Sequence, residues 1–369
     1  VVYGASTAEL DHLAPSRFFV EGLGPDLEAE CPVVWHGVGV PWAPGEEGAG
    51  RLRAALGPRP YVTVRDPHSA RRLAEAGVDR PVEVVPDSAL LIDRLMPPDS
   101  LAARLDRLRA VGGYPGPETA ALVVQGCDLM APHLPAVAES LRAWNSARPV
   151  PLEIVVVETG RCRGDSAFAA GLEAALAPGR VWRLPAGVPV EDLAAAVAGA
   201  AVFLGSSLHG AITALAYGRS FVLLNLFGDN KLDGFGDLTG LGSAVLHSAD
   251  GIPAALDAAL ARPADPAGLA ALQARIDRHF DRIAEMAAER AAARPDVGPV
   301  VDLAAYAVAD HVARLGAETA ALREELAAVR AGAARAEAEL SALQATRTFR
   351  LLGPARDLYS RLRRSSWVP

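Results

Sequence analysis

Three short stretches hold the side chains whose types and spacing could do chemistry. In VFLGSSLHGAITALAYGRSFVLLN (202–225), Ser206, Ser207 and then His209 follow an apolar run. If 202–205 is a strand, the serines fall where a helix N-cap is expected, their oxygens accepting free N–H groups of the first turn. Gly218 would close that helix in the left-handed conformation. His209 then lies in the first turn of a helix whose N-terminus favours anions. An imidazole beside a bound anion can give a proton to a reacting group. The alternative is a histidine that only hydrogen-bonds a neighbouring loop.

The second stretch, YVTVRDPHSARRLAEAGV (61–78), ends a strand with Arg65 and Asp66, breaks it at Pro67 and starts a helix near Ser69. A guanidinium at that point suits bidentate binding of a carboxylate or phosphate. The alternative is a structural pairing of Arg65 with Asp66 or with Asp87, which closes VEVVPD (82–87). The third, LNLFGDNKLDGFGDLTGL (224–241), places Lys231 in a Gly- and Asp-rich loop after a strand. A lone lysine there is otherwise simply solvated. The loop does not follow the calcium-loop spacing, so no metal is expected, and Walker, GxSxG and HExxH patterns are lacking.

The elements that must position these groups are strand-length apolar runs alternating with helical patterns. The runs are 31–40, 61–66, 82–87, 120–126, 152–160, 201–206 and 220–225; helical stretches include 69–77, 134–147 and 190–200. Continuous Val, Leu and Ile between amphipathic helices predict parallel sheets covered on both faces. The Gly- and Pro-rich VGGYPGPET (111–119) predicts a boundary. Residues 1–112 are then an N-terminal domain and 118–262 a second one, with ligands expected at the carboxyl ends of the strands.

Composition narrows the classes. At 51% apolar and 22% charged, the chain can build substantial cores. A net charge of −8 gives no global basic footprint for nucleic acid. Cys31, Cys127 and Cys162 are sparse and unpaired in spacing, which suits a reducing, cytoplasmic setting. No run approaches the about 20 apolar residues that span a bilayer. The chain opens on VVYGAS, a strand-and-loop pattern with neither a methionine nor a signal peptide, and is expected to lack its natural beginning.

After a helical segment (263–314), apolar residues recur at Leu322, Leu326, Val329, Ala333, Ala336, Leu340 and Leu343, a heptad seam. A coiled coil over 315–345 would join copies into a homo-oligomer; a surface helix folded back on the domain is the alternative. The tail, 346–369, interleaves arginines with Leu, Phe, Tyr and Trp. It could lie on an anionic membrane surface, at the inner face, or stay solvated.

The order VRDPHSARRLAEAGV…VEVVPDSALL, then VFLGSSLHGAITALAYGRSFVLL, then DNKLDGFGDL resembles the polysaccharide pyruvyl transferase family over roughly residues 30–250. The resemblance implies an α/β fold of two Rossmann-like domains in a GT-B-like arrangement. It implies transfer of the pyruvyl group of phosphoenolpyruvate, a co-substrate rather than a cofactor, to a sugar or lipid-linked oligosaccharide of a cell-envelope polysaccharide, forming a ketal. On that reading His209 transfers the proton, and Arg65, Ser206, Ser207, Arg219 and Lys231 bind the donor. One position departs: members commonly carry an arginine two residues before the histidine, where this chain has Ser207, and Arg219 is the candidate to compensate. A nucleotide-sugar glycosyltransferase and a catalytically degenerate scaffold for polysaccharide assembly are the alternatives.

Overall fold

The apolar runs become two parallel sheets in the computed structural model, which describes residues 2–3, 34–40, 43–56, 61–158, 165–177, 179, 181–184 and 187–293. The proposed coiled coil, the basic tail and residues 294–314 lie outside the described residues. The first sheet joins β1 (Val2–Tyr3), β2 (Val34–Val38), β3 (Tyr61–Val64) and β4 (Glu83–Val84) in that order. The second holds β5 (Ala121–Gln125), β6 (Glu153–Val156), β7 (Val181–Arg183), β8 (Val202–Gly205), β9 (Ser220–Leu224) and β10 (Val245–Leu246). Its order is β10-β9-β8-β5-β6-β7, all parallel.

That order reverses direction between β5 and β8. The chain winds outward from β5 to β7, crosses back to β8 and winds outward the other way. The crevice at the carboxyl ends of β5 and β8 is therefore the switch point where such sheets bind ligands. Helices between the strands are α1 (Glu46–Leu56), α2 (Pro67–Glu75), α3 (Pro98–Ala110), α4 (Leu134–Ser146), α5 (Asp165–Leu176), α6 (Val190–Ala198), α7 (Leu208–Ala216), α8 (Asn230–Thr239) and α9 (Ile252–Ala261). The last, α10 (Pro266–Ala293), is a 28-residue helix.

The second sheet is buried on both faces, as its near-continuous apolar strands require. Val123, Phe203, Phe221 and Leu223 pack one core with α3, α6 and α7. Leu122, Val124, Val202, Leu204 and Val222 pack the other with α4, α5 and α9. The first sheet has its own core of Trp35, Val38, Leu52, Val62, Val64 and Leu73. The 82–87 run is a strand only over Glu83–Val84. Val85 N still donates to Val64 O (2.8 Å), and Pro86, which has no N–H, ends the ladder. Helix α10 returns to the first sheet: Ile276 is buried and Arg275 Nη2 donates to Val84 O (2.6 Å).

Candidate functional site

At the switch point, β8 ends at Gly205 and α7 begins three residues later, at Leu208. Ser207 is the N-cap, its hydroxyl accepting from Gly210 N at 3.2 Å. Gly218 follows the helix with φ of +66°, the left-handed position expected of it. Ser206 is buried, and both its N–H and its hydroxyl donate to Gln125 Oε1, at 3.2 and 3.3 Å. Gln125 in turn donates to the buried Asp165 (3.2 Å). Ser206 thus braces β8 against β5, and the structure does not turn it toward a donor. His209 projects from the first turn with its side chain 69% exposed and Nε2 3.8 Å from Asp87 Oδ2.

Arg65 follows β3 and is buried. Its guanidinium lies flat on Gly39, where a β-carbon would stand 2.6 Å from Nη2, so a side chain there would expel it. Nη1 donates to Asp87 Oδ2 at 3.4 Å, and Nε, 3.9 Å from Asp66 Oδ2, has no hydrogen-bond partner. The structural pairing considered for Arg65 is therefore present, with both carboxylates. Asp66 caps α2: Oδ1 accepts from Ser69 N (2.7 Å) and Oδ2 from the Ser69 hydroxyl (2.9 Å). Burial pushes the Asp66 carboxyl above the ordinary carboxylate range, opposed by the Ser69 hydrogen bonds and by Arg65.

Lys231 is the second cation. Its loop starts α8, with Asp229 as N-cap accepting from Lys231 N (3.0 Å). Asp229 is buried and its Oδ2 lies 2.6 Å from Lys231 Nζ. Asn225 fixes this carboxylate-bearing turn, accepting from Asp229 N (2.6 Å) and donating to Asp229 O and Asp233 Oδ2. Lys231 is thus ordered by a buried partner and not simply solvated.

Arg65 and Lys231 line one small cleft with Asp66, Asp87, Leu208 and Phe235. The structure therefore brings together Arg65 from the first sheet, Lys231 from the second and the head of α7, which carries His209. Arg219 is not brought there. It stands at the amino end of β9, the far end of a nine-residue helix about 13 Å long. Its Nε donates to Ala198 O (2.7 Å), and it lines a separate cavity with Asp93 and Tyr217. Arg219 does not make up for the serine at 207.

The residues that the motif reading underrated are Asp87 and Asp229. Asp87 Oδ1 caps the turn after β4, accepting from Ala89 N (3.1 Å), while Oδ2 stands between Arg65 and His209. Its signal is a Pro-Asp pair closing an apolar run. Asp66 and Asp87 line the cleft with Arg65 and Lys231, and the buried Asp229 pairs with Lys231.

A family model described as polysaccharide pyruvyl transferase matches residues 27–226, which include Arg65, Asp87 and His209. The chain belongs to the polysaccharide pyruvyl transferase family. Lys231 and its loop lie just beyond the matched segment. No curated protein matches the sequence. Solved structures with distant likeness include UDP-GlcNAc 2-epimerase from Neisseria meningitidis bound to UDP-GlcNAc, 12% identical, covering 76% of each chain with a TM-score of 0.48. A UDP-forming trehalose-phosphate synthase from Burkholderia xenovorans is 15% identical, covering 77% of this chain and 69% of that one, TM-score 0.45. The N-terminal domain of Candida albicans trehalose-6-phosphate phosphatase is 13% identical, covering 67% of this chain, TM-score 0.41; the chain spans 60% of that domain's length. Among the described residues, no helix is long and apolar enough to cross a membrane.

Proposed function

We propose that this member of the family transfers the pyruvyl group of phosphoenolpyruvate to two hydroxyls of one sugar in an envelope polysaccharide or its lipid-linked precursor. The two sheets then act as the halves of a GT-B-like arrangement. The observation that carries this reading is Asp87 Oδ2, set between the Arg65 guanidinium and the His209 imidazole in a cleft that also holds Lys231. Arg65 and Lys231 bind the carboxylate and phosphate, displacing the protein's own carboxylates. The head of α7 adds the favourable end of a helix dipole.

Protonated His209 then gives its proton to the methylene carbon, leaving C2 oxocarbenium-like. A sugar hydroxyl oxygen bonds to C2, and the bond from C2 to the phosphate oxygen breaks. The first hydroxyl's proton returns to His209, and the second hydroxyl closes the ketal as its proton passes to the departing phosphate. Proton transfer of this kind contributes about 10²–10⁴-fold.

The test is calorimetric titration of phosphoenolpyruvate, with and without Arg65→Lys, followed by mass analysis of sugar acceptors for the added pyruvyl group. Saturable binding that the variant weakens about tenfold or more, with a pyruvylated product, supports the assignment. Binding of a nucleoside diphosphate and not of phosphoenolpyruvate overturns it. That outcome would favour a nucleotide-sugar transferase, a reading supported by Ser207, where family members commonly carry an arginine.

A further inference from the structure

The cavity beside Arg219 plays no part in the reaction above. It encloses about 360 Å³, within the range of small-molecule sites. Most of its lining is carbon, with Leu101 and Leu105 from α3, Ala195 from α6 and Ala216 from the end of α7. The single-carbon side chains on α6 and α7 leave a width that larger ones would fill. Asp93, Tyr217 and Arg219 interrupt this lining with polar groups.

Both charges are held in place, and neither is paired. Arg219 Nε donates to Ala198 O (2.7 Å), which orients the guanidinium; among the described residues neither Nη has a hydrogen-bond partner. Asp93 lies in the single helical turn Ile92–Leu95, where its Oδ1 accepts from Gln273 Nε2 of α10 (2.9 Å). Its charge is felt at Tyr217, whose hydroxyl is pushed up to about 12, by burial first and by Asp93 second. Arg219 and Asp93 line one cavity, yet among the described residues neither forms an ion pair. Arg219 is exposed and Asp93 half-buried, so a ligand reaches both from solvent.

We propose that this cavity is a second ligand site, taking a small zwitterion with an apolar body, as an aliphatic amino acid presents, and that its occupant is an effector of donor binding. A carboxylate meets the two unpartnered η-nitrogens of Arg219 in the bidentate manner open to a guanidinium. An ammonium meets Asp93 Oδ2, and the hydrocarbon covers Leu101, Leu105 and the alanines. A ligand with only one charge would shut the cavity's other charge away from water without a partner, at a cost in affinity.

The cavity and the cleft share two elements. Helix α7 lines the cleft with Leu208 and Ile212 and the cavity with Ala216, and Tyr217 follows directly. The segment 87–93 lines the cleft with Asp87 and the cavity with Asp93. The Tyr217 hydroxyl ties the far ends together, donating to Met96 O (2.7 Å) with Ile92 O at 3.2 Å. A ligand in the cavity thus bears on both elements that set the distance from Asp87 to His209.

Calorimetric titration of the full chain with leucine and with 6-aminohexanoate tests the site, the two probes carrying their charges close together and far apart. Saturable binding of at least one is expected. Arg219→Gln should weaken it at least about tenfold, and so should Asp93→Asn, whose amide oxygen still accepts from Gln273. Removing one charge from the probe should cost as much: 4-methylpentanoate or 3-methylbutylamine in place of leucine, hexanoate or pentylamine in place of 6-aminohexanoate. If neither zwitterion binds saturably, or both variants bind as the parent does, the site is overturned. Singly charged probes that bind equally well overturn the zwitterion class. The effector role rests on the donor proposed above. With the cavity saturated, the Kd for phosphoenolpyruvate should shift several-fold in the parent and hold steady in Arg219→Gln. An unchanged Kd in the parent overturns that role. Phosphoenolpyruvate that never binds, with or without the zwitterion, removes the donor and the effector role together, and leaves the zwitterion titration to decide the site.

Discussion

Gly234, early in α8, stands so close to Asp66 at the head of α2 that a β-carbon would lie 2.5 Å from Asp66 Oδ1 and 2.7 Å from its Cγ. The missing side chain lets the Lys231 loop of the second sheet close on the carboxylate that caps a helix of the first. His68 Nε2 and Asp237 Oδ2, 2.8 Å apart, make a second contact between the same helices. This approach is what places Arg65 and Lys231 in one cleft.

Gly234→Ala should therefore cost both stability and binding. Asp66 cannot turn aside without releasing Ser69 N, so α8 must move. A loss of about 1–3 kcal/mol is expected, with weaker phosphoenolpyruvate binding. Urea unfolding reads the first and calorimetry the second. An unchanged midpoint would mean that α8 shifts freely.

His209→Asn should leave folding alone and stop the chemistry. The side chain is 69% exposed, so stability should stay within about 0.5 kcal/mol of the parent. Turnover should fall about 10²–10⁴-fold with donor binding retained. Undiminished turnover would remove His209 as the proton donor.

Ser207→Arg exchanges a helix cap for a guanidinium. Losing the bond to Gly210 N should cost about 1 kcal/mol, while phosphoenolpyruvate binding should tighten several-fold. If calorimetry shows no tightening, Arg65 and Lys231 already satisfy the donor.

Lys231→Met leaves the buried Asp229 charge without its 2.6 Å partner, a loss of about 3–5 kcal/mol. Adding Asp229→Asn should restore most of that stability, because the amide oxygen still caps α8. Donor binding should stay weak in the double variant. Recovery of binding along with stability would show that Lys231 serves only the fold.

Acid should loosen the packing of α10. Burial, reinforced by His36, holds the His279 imidazole down to about 4. A depressed folded-state value means that its contribution is complete above the unfolded value of about 6.5 and is lost as pH falls toward 4. Allowing for solvent screening, the loss should be on the order of 1–2 kcal/mol. Melting curves at pH 7 and 4.5, compared with those of His279→Gln, should show a steeper fall for the parent.

The sequence by itself determined the local structure and the identities of the reactive groups. Apolar runs flanked by helix caps predicted β3, β5, β6, β8 and β9, because a strand buried on both faces can hold little else. Ser207 and Gly218 marked the ends of α7 through backbone needs that do not depend on the rest of the molecule. The short strands β7 and β10 carry too few residues for a pattern and exist only through their neighbours in the sheet.

Tertiary structure alone decided which of these groups meet. Arg219 and Arg65 look equally available in sequence, yet a nine-residue helix carries Arg219 to the amino ends of the strands, opposite the cleft. Ser206 and Ser207 are adjacent, yet one is spent on Gln125 and the other caps a helix. Asp87, His36 and His279 gain their relationships from the packing of α10 and α7 against the first sheet. Spacing along the chain encodes which way a side chain leaves its own helix or strand. Proximity across sheets depends on close approaches such as Gly234 against Asp66, set by the packing of whole elements.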